Sequence, residues 1–334
     1  MTSERELLAA ILARTPSVAG VSVGPGDDAA VLAPAGATVA TTDTLVHGPD
    51  FRLAWSSPGD LGWKAAAVNL SDVAAMGATP TGLLVALCLP PAFGADFVAD
   101  LADGFREACA ELAPGCGVIG GDLTSSDTLT IAVTALGALG DRAPVLRSGA
   151  RPGDELALAG ELGAAGRGIG LMFARFTDAA GDPVPVDEAA LSAGERADID
   201  AQRRPRPPVV LGPLAADAGA HAMMDVSDGL VLDARRLAEA SGVSIDLDPE
   251  AVLALARRSA GAAGRSDAQV LHDALTGGED HGLLASFAPG RVPAGFTRIG
   301  TIAASEPGSV SVGGAVFDGR GGWDPYADWD ARRG

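Results

Sequence analysis

Aspartate recurs in this sequence where a buried strand or a glycine turn should carry something apolar. The cases are Gly26-Asp27-Asp28, Thr41-Thr42-Asp43, Gly120-Gly121-Asp122 and Asp225-Val226-Ser227-Asp228-Gly229, with Asp72 of Asn69-Leu70-Ser71-Asp72 inside a helical stretch. Singly, each has an ordinary reading, because an Asp at a strand end is usually a turn former or a helix cap. Asp228 stands just before a helix, and Asp28 suits an Asx turn. Asp72 resists that reading: Asp is a poor helix former, and Val68, Leu70, Val73 and Met76 around it are apolar. Jointly, the acids call for a cation. Two carboxylates about 4 Å apart repel by roughly 4 kcal/mol at an effective dielectric of 20. A set of hard oxygen ligands without His or Cys points to Mg²⁺, which shares carboxylates with substrate phosphates.

The elements that must position these acids alternate between strand and helix. Ser3-Glu4-Arg5-Glu6 is a capping box, and Leu7, Leu8, Ile11 and Leu12 predict a first helix with one buried face. Residues 24–31 form a turn into a short strand, and Thr38–Asp43 is a strand with a polar end. Ser57-Pro58 opens a second helix that runs to about Met76 and stops at Gly77. Gly82–Leu89 reads as a buried strand, 94–113 as an amphipathic helix, Val118-Ile119 as a short strand entering a Gly-Gly-Asp turn, and Thr128–Leu136 as an alternating strand. Pro144–Asp154 joins two halves. Beyond it come a strand at 155–159, helices at 160–175 and 186–202 (the second acidic and solvated), and an extended Pro-rich connector at 203–208. The strand 221–226 then leads through Ser227-Asp228-Gly229 into a helix. A strand at 243–247, two helices and a meander of strands over 283–317 complete the chain.

Composition narrows the chemistry further. The 334 residues carry 43 acidic and 24 basic side chains, a net charge of −19. Phosphate backbones need basic surface, so nucleic acid is excluded as the natural partner. No run of about 18 apolar residues predicts a membrane span, and the N-terminus lacks a basic leader. Cys88, Cys109 and Cys116 form no CxxC pair, which suits a reducing cytoplasm without disulfide or zinc. They read as core, and His221, His272 and His281 as structural. Lys64 is the only lysine, so there is no G-x-x-x-x-G-K-[ST] loop; ATP, if used, is held some other way. Gly163–Gly170 reads as a strand-to-helix turn and not as a dinucleotide fingerprint.

From Gly24 to Trp323 the chain resembles the thiamine-monophosphate kinase family, in the superfamily of aminoimidazole ribonucleotide synthetase, selenide–water dikinase and hydrogenase maturation factor E. The resemblance rests on Gly26–Val31, Thr41–Val46, Lys64–Gly77, Gly120–Asp122, Leu146–Asp154, Asp225–Leu230 and Gly277–Asp280, in the family's order. Ser-Asp-Val-Ala-Ala-Met-Gly, Asp-Val-Ser-Asp-Gly-Leu and Gly-Gly-Glu-Asp-His are the specific runs.

The resemblance implies an α/β (α+β) chain of two domains. Residues 1–143 would form a mixed sheet that pairs across a homodimer, and 144–334 an α/β domain that completes the site. It implies ATP-dependent phosphorylation of thiamine monophosphate to thiamine diphosphate with several Mg²⁺ ions. Asp28, Thr41, Thr42, Asp43, Asp72, Asp122, Asp225 and Asp228 match metal ligands. Gly121, Asp122, Arg147 and Ser227 match nucleotide contacts, and Asp50, Glu279 and Trp323 contacts to the thiamine. No side chain is assigned as general acid or base, since the acceptor is already a phosphate and needs charge neutralisation and positioning. Arg147 can fork onto phosphate oxygens.

Three departures from the family pattern stand out. Asp50 occupies the place of a His before Phe51, with His47 three residues earlier. Asp122 is followed by Leu-Thr-Ser without the family's Arg, and Trp323 by Asp-Pro-Tyr-Ala. Two alternatives therefore stay open: another acceptor within the same superfamily, and a non-catalytic ATP- and Mg²⁺-binding protein.

Overall fold

The computed structural model describes residues 3–25 and 29–323. Ser3 caps α1 (Glu4–Leu12) through the reciprocal bonds with Glu6 that the sequence predicts. The buried face expected of α1 is only half formed: Leu8 and Leu12 are exposed, while Leu7, Ala10 and Ile11 lean on the core. β1 (Val21–Val23) and β2 (Val31–Leu32) pair as a short ribbon.

A mixed sheet is built from β3 (Thr38–Val46), β4 (Thr79–Leu89), β5 (Val118–Ser125) and β6 (Thr130–Ala138), with α2 (Pro58–Ala75) and α3 (Ala95–Leu112) between its strands in sequence. The order is β3-β6-β4-β5; only β4 and β5 are parallel. β4 is not buried throughout, as expected, but alternates: Leu83, Leu87 and Leu89 face the core and Leu84 faces out. Gly120-Gly121-Asp122 is a second correction. It is no turn but lies within β5, opposite Leu84, Val85 and Ala86. Gly121 sits so close to its neighbour that a Cβ would lie 2.0 Å from the Val85 oxygen.

The rest of the chain supplies a larger sheet. In sequence it gives β7 (Glu155–Ala159), α4 (Ala164–Arg175), α5 (Ala193–Arg203), α6 (Leu211–Asp217), β8 (Ala222–Val226), α7 (Leu230–Ser241), β9 (Ser244–Leu247), α8 (Pro249–Ala256), α9 (Asp267–Thr276), β10 (Gly282–Phe287), β11 (Thr297–Ala303), β12 (Val310–Val312) and β13 (Ala315–Val316). The strand order is β13-β12-β9-β11-β7-β10-β8. The terminal strands are thus no meander: β7 separates β10 from β11, and β9 separates β11 from β12. The expected helix at 186–202 is a short 3-10 turn at Glu188–Ala190 followed by α5. Its acids are not all solvated, because Asp198 is buried against Arg167 at 2.8 Å. α6 carries no clear period in the sequence, being only 7 residues long.

α2 ties the two sheets together. Ser57 and Pro58 start it, and Met76 and Gly77 (φ +76°) end it, as the sequence predicts. It touches α3, β3, β4 and β6 on one side and β8 and β10 on the other. A helix covered all round is apolar all round, which is why its run of Ala, Val and Leu shows no clean polar face. It can approach α3 closely because Gly62 and Gly104 meet there; a Cβ on either would lie 2.0 Å from a backbone oxygen. The connector at 203–208 then wraps Trp63: its indole donates to the Pro205 oxygen at 2.8 Å, and the Arg206 guanidinium lies 4.9 Å from its ring. Among the described residues no helix is long and apolar enough to cross a membrane.

Candidate active site

Asp72 projects from α2 toward the middle of β3. The Thr41 hydroxyl donates to its Oδ2 at 3.0 Å. Strand alternation puts Asp43 on the same face of β3 as Thr41. The Thr44 amide donates to Asp43 Oδ1 at 2.7 Å. Alternation also turns Thr42 away: its hydroxyl donates to the Val133 oxygen at 2.9 Å on the other face, so the structure does not bring that side chain to Asp72. Burial, then the neighbouring charges of Asp225 and Asp43, push the Asp72 carboxyl up to about 6. Loss of water also raises Asp43, with Glu279 and Asp225 adding to it.

The facing wall comes from the second sheet. Asp225 lies next to the end of β8, buried, 3.1 Å from Nδ1 of His281. His281 belongs to the loop Gly277–His281, which enters β10. Glu279 (φ +71°) and His281 (φ +53°) are the two non-glycine residues with left-handed backbone among those described. Such backbone costs on the order of 1 kcal/mol or more per residue and persists only where surroundings impose it. Here the surroundings are three anchors. Glu279 forms an ion pair with Lys64. Asp280 accepts from the Gly163 and Ala165 amides at 2.5 and 2.9 Å and so caps α4, whose own N-cap is a glycine. His281 holds Asp225. The loop also lies flat on the turn after β8: the Glu279 amide donates to the Ser227 oxygen at 2.7 Å, and a Cβ on Gly278 would lie 2.5 Å from that same atom.

The other residues singled out by sequence surround this centre unevenly. Asp228 does not cap α7; Gly229 holds the cap position, and Asp228 pairs with Arg236 at 2.5 Å. Its amide donates to the buried Asp233 carboxylate at 3.0 Å. Trp323 is brought to the same turn, its amide donating to the Asp228 oxygen at 3.0 Å. Asp50 feels Glu279, Lys64 and Asp43, and burial is the main reason its carboxyl is raised. One of its oxygens is already used, accepting from the Val46 amide at 2.7 Å. His47 instead packs its ring 5.5 Å from that of Phe51. Gly121 and Asp122 open onto a separate groove of about 1150 Å³ between α1, α3 and the edge of the first sheet. Arg147 is exposed on the segment joining the halves, which Ser241 fastens through the Arg147 oxygen and the Gly149 and Ala150 amides. Asp28 lies outside the described residues. Among the described residues no three carboxylate, imidazole or thiol groups close into a ready metal cage.

Sequence reading noted Lys64 as the sole lysine but gave no site role to it, to Gln202 or to His281. Lys64 is buried in α2, and its ammonium donates to Gln202 Oε1 at 2.9 Å. The signal was present in one case: the sole lysine stands eight residues before Asp72, two helical turns along the same helix. Gln202, in an acidic helix, carried no signal at all.

Two family models match the chain: the N-terminal domain of AIR synthase related protein over residues 26–139, and its C-terminal domain over 151–310. The thiamine-monophosphate kinase of Mycobacterium tuberculosis (strain H37Rv) is 41% identical over 316 residues, covering 93% of this chain and 88% of the relative. The crystal structure of thiamine-monophosphate kinase from Stenotrophomonas maltophilia K279a superposes with a TM-score of 0.77 at 33% identity, covering 95% of this chain and 98% of that one. AaThiL complexed with AMPPCP and TMP superposes with a TM-score of 0.71 at 31% identity, over 85% and 86% of the two chains. With its paired sheets, its aspartates gathered around α2 and this likeness along almost its whole length, the chain belongs to the thiamine-monophosphate kinase family of AIR synthase related proteins.

Proposed function

We propose that this chain uses ATP to phosphorylate thiamine monophosphate to thiamine diphosphate. The observation that carries this reading is that α2 sets Asp72 against Thr41 of the first sheet, two residues from Asp43, while its Ser71 hydroxyl donates to the oxygen of His281, which holds Asp225 of the second. The donor set fits a hard divalent cation: it offers carboxylate oxygens, and two of the three carboxyls are raised, first by burial and then by the neighbouring carboxylates. Asp43, Asp72 and Asp225 would hold Mg²⁺, with Thr41 orienting Asp72 and Asp28 as a further ligand; Asp122, on its separate groove, and Asp228, beside Arg236, would serve other Mg²⁺ ions. Bound there, Mg²⁺ would neutralise the phosphates of donor and acceptor and so lower the barrier to their approach. Thr42 can contribute only its main chain to this group, given where its hydroxyl points.

The protein's own residues bind and orient. Arg147 reaches phosphate oxygens of ATP as a planar fork, with Gly121, Asp122 and Ser227 as further nucleotide contacts. Glu279, Trp323 and Asp50 face the thiamine end of the acceptor. No general base is required, because the attacking phosphate oxygen is ionised near neutral pH. We further place the boundary between domains near residues 143 and 144, and read the chain as a homodimer whose four-stranded sheet pairs with that of a second copy. The outward side chain of Leu84 and the half-covered α1 support that reading.

The test is turnover of purified protein with ATP, Mg²⁺ and thiamine monophosphate, following thiamine diphosphate by chromatography beside an EDTA control. Metal-dependent product is expected. ATP binding without product from this acceptor would overturn the assignment and direct attention to a panel of other phosphate acceptors.

A further inference from the structure

Lys64 is hard to explain as a stabilising residue. Arginine supplies every other basic side chain of the 24, yet the one lysine is buried in the middle of α2. A buried ammonium is costly unless paired, and a buried ion pair seldom stabilises more than packed apolar groups would. Its partners come from two other elements: Gln202 Oε1 of α5 at 2.9 Å, and the carboxylate of Glu279. Gln202 touches Glu279 as well, at 3.5 Å from Nε2 to Oε2, so the three groups close a triangle across the two halves of the chain.

The triangle is asymmetric. The Lys64 side chain is 4% exposed and that of Glu279 43% exposed. The ammonium is therefore the fixed inner end, and the carboxylate stands at the mouth of the site with one edge open. Burial works against ionising Glu279, but Lys64 and His281 outweigh it and hold its carboxyl below the usual value. The left-handed backbone of Glu279 aims the side chain inward, and the Ser227 oxygen locks that backbone. A compact ammonium with three donors suits a slot where two acceptors converge from different directions, where a planar guanidinium would not.

We propose that Lys64 is a positioning residue for the acceptor substrate: anchored by Gln202, it fixes the Glu279 carboxylate so that a thiazolium-bearing phosphate ester binds in register for transfer. The proposal rests on Glu279 contacting the thiamine end of the acceptor. Lys64 itself touches no reacting atom. Its effect falls on the affinity for the acceptor and passes through Glu279, leaving the nucleotide alone.

A double-mutant cycle tests this. KM for each substrate and kcat are measured for the wild type, Lys64→Met, Glu279→Gln and the double variant, together with thermal unfolding. Lys64→Met and Glu279→Gln are each expected to raise KM for thiamine monophosphate about tenfold or more, with KM for ATP within about twofold. The double variant is expected to be no worse than the weaker single, because both remove one interaction. Gln202→Met should give a smaller rise of about threefold through the same coupling, and it takes Lys64→Met's place in the cycle if that variant does not fold. Additive losses overturn the proposal. So do equal rises in both KM values that track a lowered unfolding temperature, the signature of a merely structural lysine. Wild-type protein without thiamine monophosphate turnover overturns the activity assignment and this proposal together; wild-type turnover with additive variants overturns the proposal alone.

Discussion

The two walls of the site are made by different means. Asp72 and Asp43 stand on a helix and a strand, where period 3.6 and period 2 set their directions and many neighbours share the load. Glu279, Asp280 and His281 stand on a loop with two left-handed residues, held by three separate anchors. A wall of regular elements should tolerate loss of a functional carboxylate without loss of shape. A wall of strained loop should lose shape and function together. The contrast places fixed charge on the rigid side and substrate fit on the side whose geometry depends on polar contacts.

Asp72→Asn should give the largest separation of the two effects. Turnover is expected to fall by on the order of 10³-fold, since a carboxylate that would hold the phosphate-neutralising Mg²⁺ is removed. The fold should survive, and the metal-free protein should melt no lower than wild type, because the lost carboxyl is one that burial disfavours when charged. Turnover and a melting curve on the same preparation check both halves.

Asp280→Ala should behave the opposite way. It removes a side chain that caps α4 and one of three loop anchors, so urea denaturation should show a loss of about 1–2 kcal/mol. Activity should fall with it, mainly through KM for the acceptor, as Glu279 loses its neighbour's support. Unchanged stability would mean that the loop is fixed by Lys64 and Asp225 alone.

The pH dependence of stability addresses both walls at once. Asp72 and Asp280 titrate near 6 in the folded protein, above the ordinary value of 3.8. A folded pKa above the unfolded one means that the folded state binds the proton more tightly. The stability this lends is complete below about 4 and is lost as pH rises through 6, at up to about 1.4 kcal/mol per unit for each group. Metal-free protein should therefore melt at a higher temperature at pH 5 than at pH 7.5, before other groups are counted. Mg²⁺ should raise the melting temperature more at pH 7.5, where Asp72 is ionised. Asp72→Asn should remove that metal-dependent part, and Asp280→Asn should leave it in place.

The smallest effect concerns neighbours on one strand. Thr41→Val removes the hydroxyl that orients Asp72 and should lower kcat by about five- to tenfold. Thr42→Val removes a hydroxyl on the other face and should change kcat less than about threefold. Steady-state kinetics on the pair checks this. A reversal of the order would place the Thr42 side chain in the site after all.

How much of this was legible in advance depended on range. The capping box at Ser3, the helix start at Ser57-Pro58 and the stop at Gly77 are contacts within one turn of chain, so local residue types settled them. Gly120-Gly121-Asp122 was misread because glycine usually marks a turn. Here the glycines serve the close approach of one strand to another, which depends on β4, more than thirty residues earlier. The exposed half of α1 and the burial of Asp198 were misread for the same reason: what covers a face is decided by a distant partner.

The sequence by itself determined the family, the roster of acids and the oddity of Asp72, because motifs and a charge in an apolar helix are properties of short stretches. Only the tertiary structure decided which acids meet. It put Thr41 and Thr42 on opposite sides, set Asp122 in another groove, tied Asp228 to Arg236 and drew Lys64, Gln202 and Glu279 together from positions as much as 215 residues apart. The physical reason is that a side chain's direction follows from local backbone, whereas its partner follows from how sheets and helices pack, and α2 lies where two such packings meet.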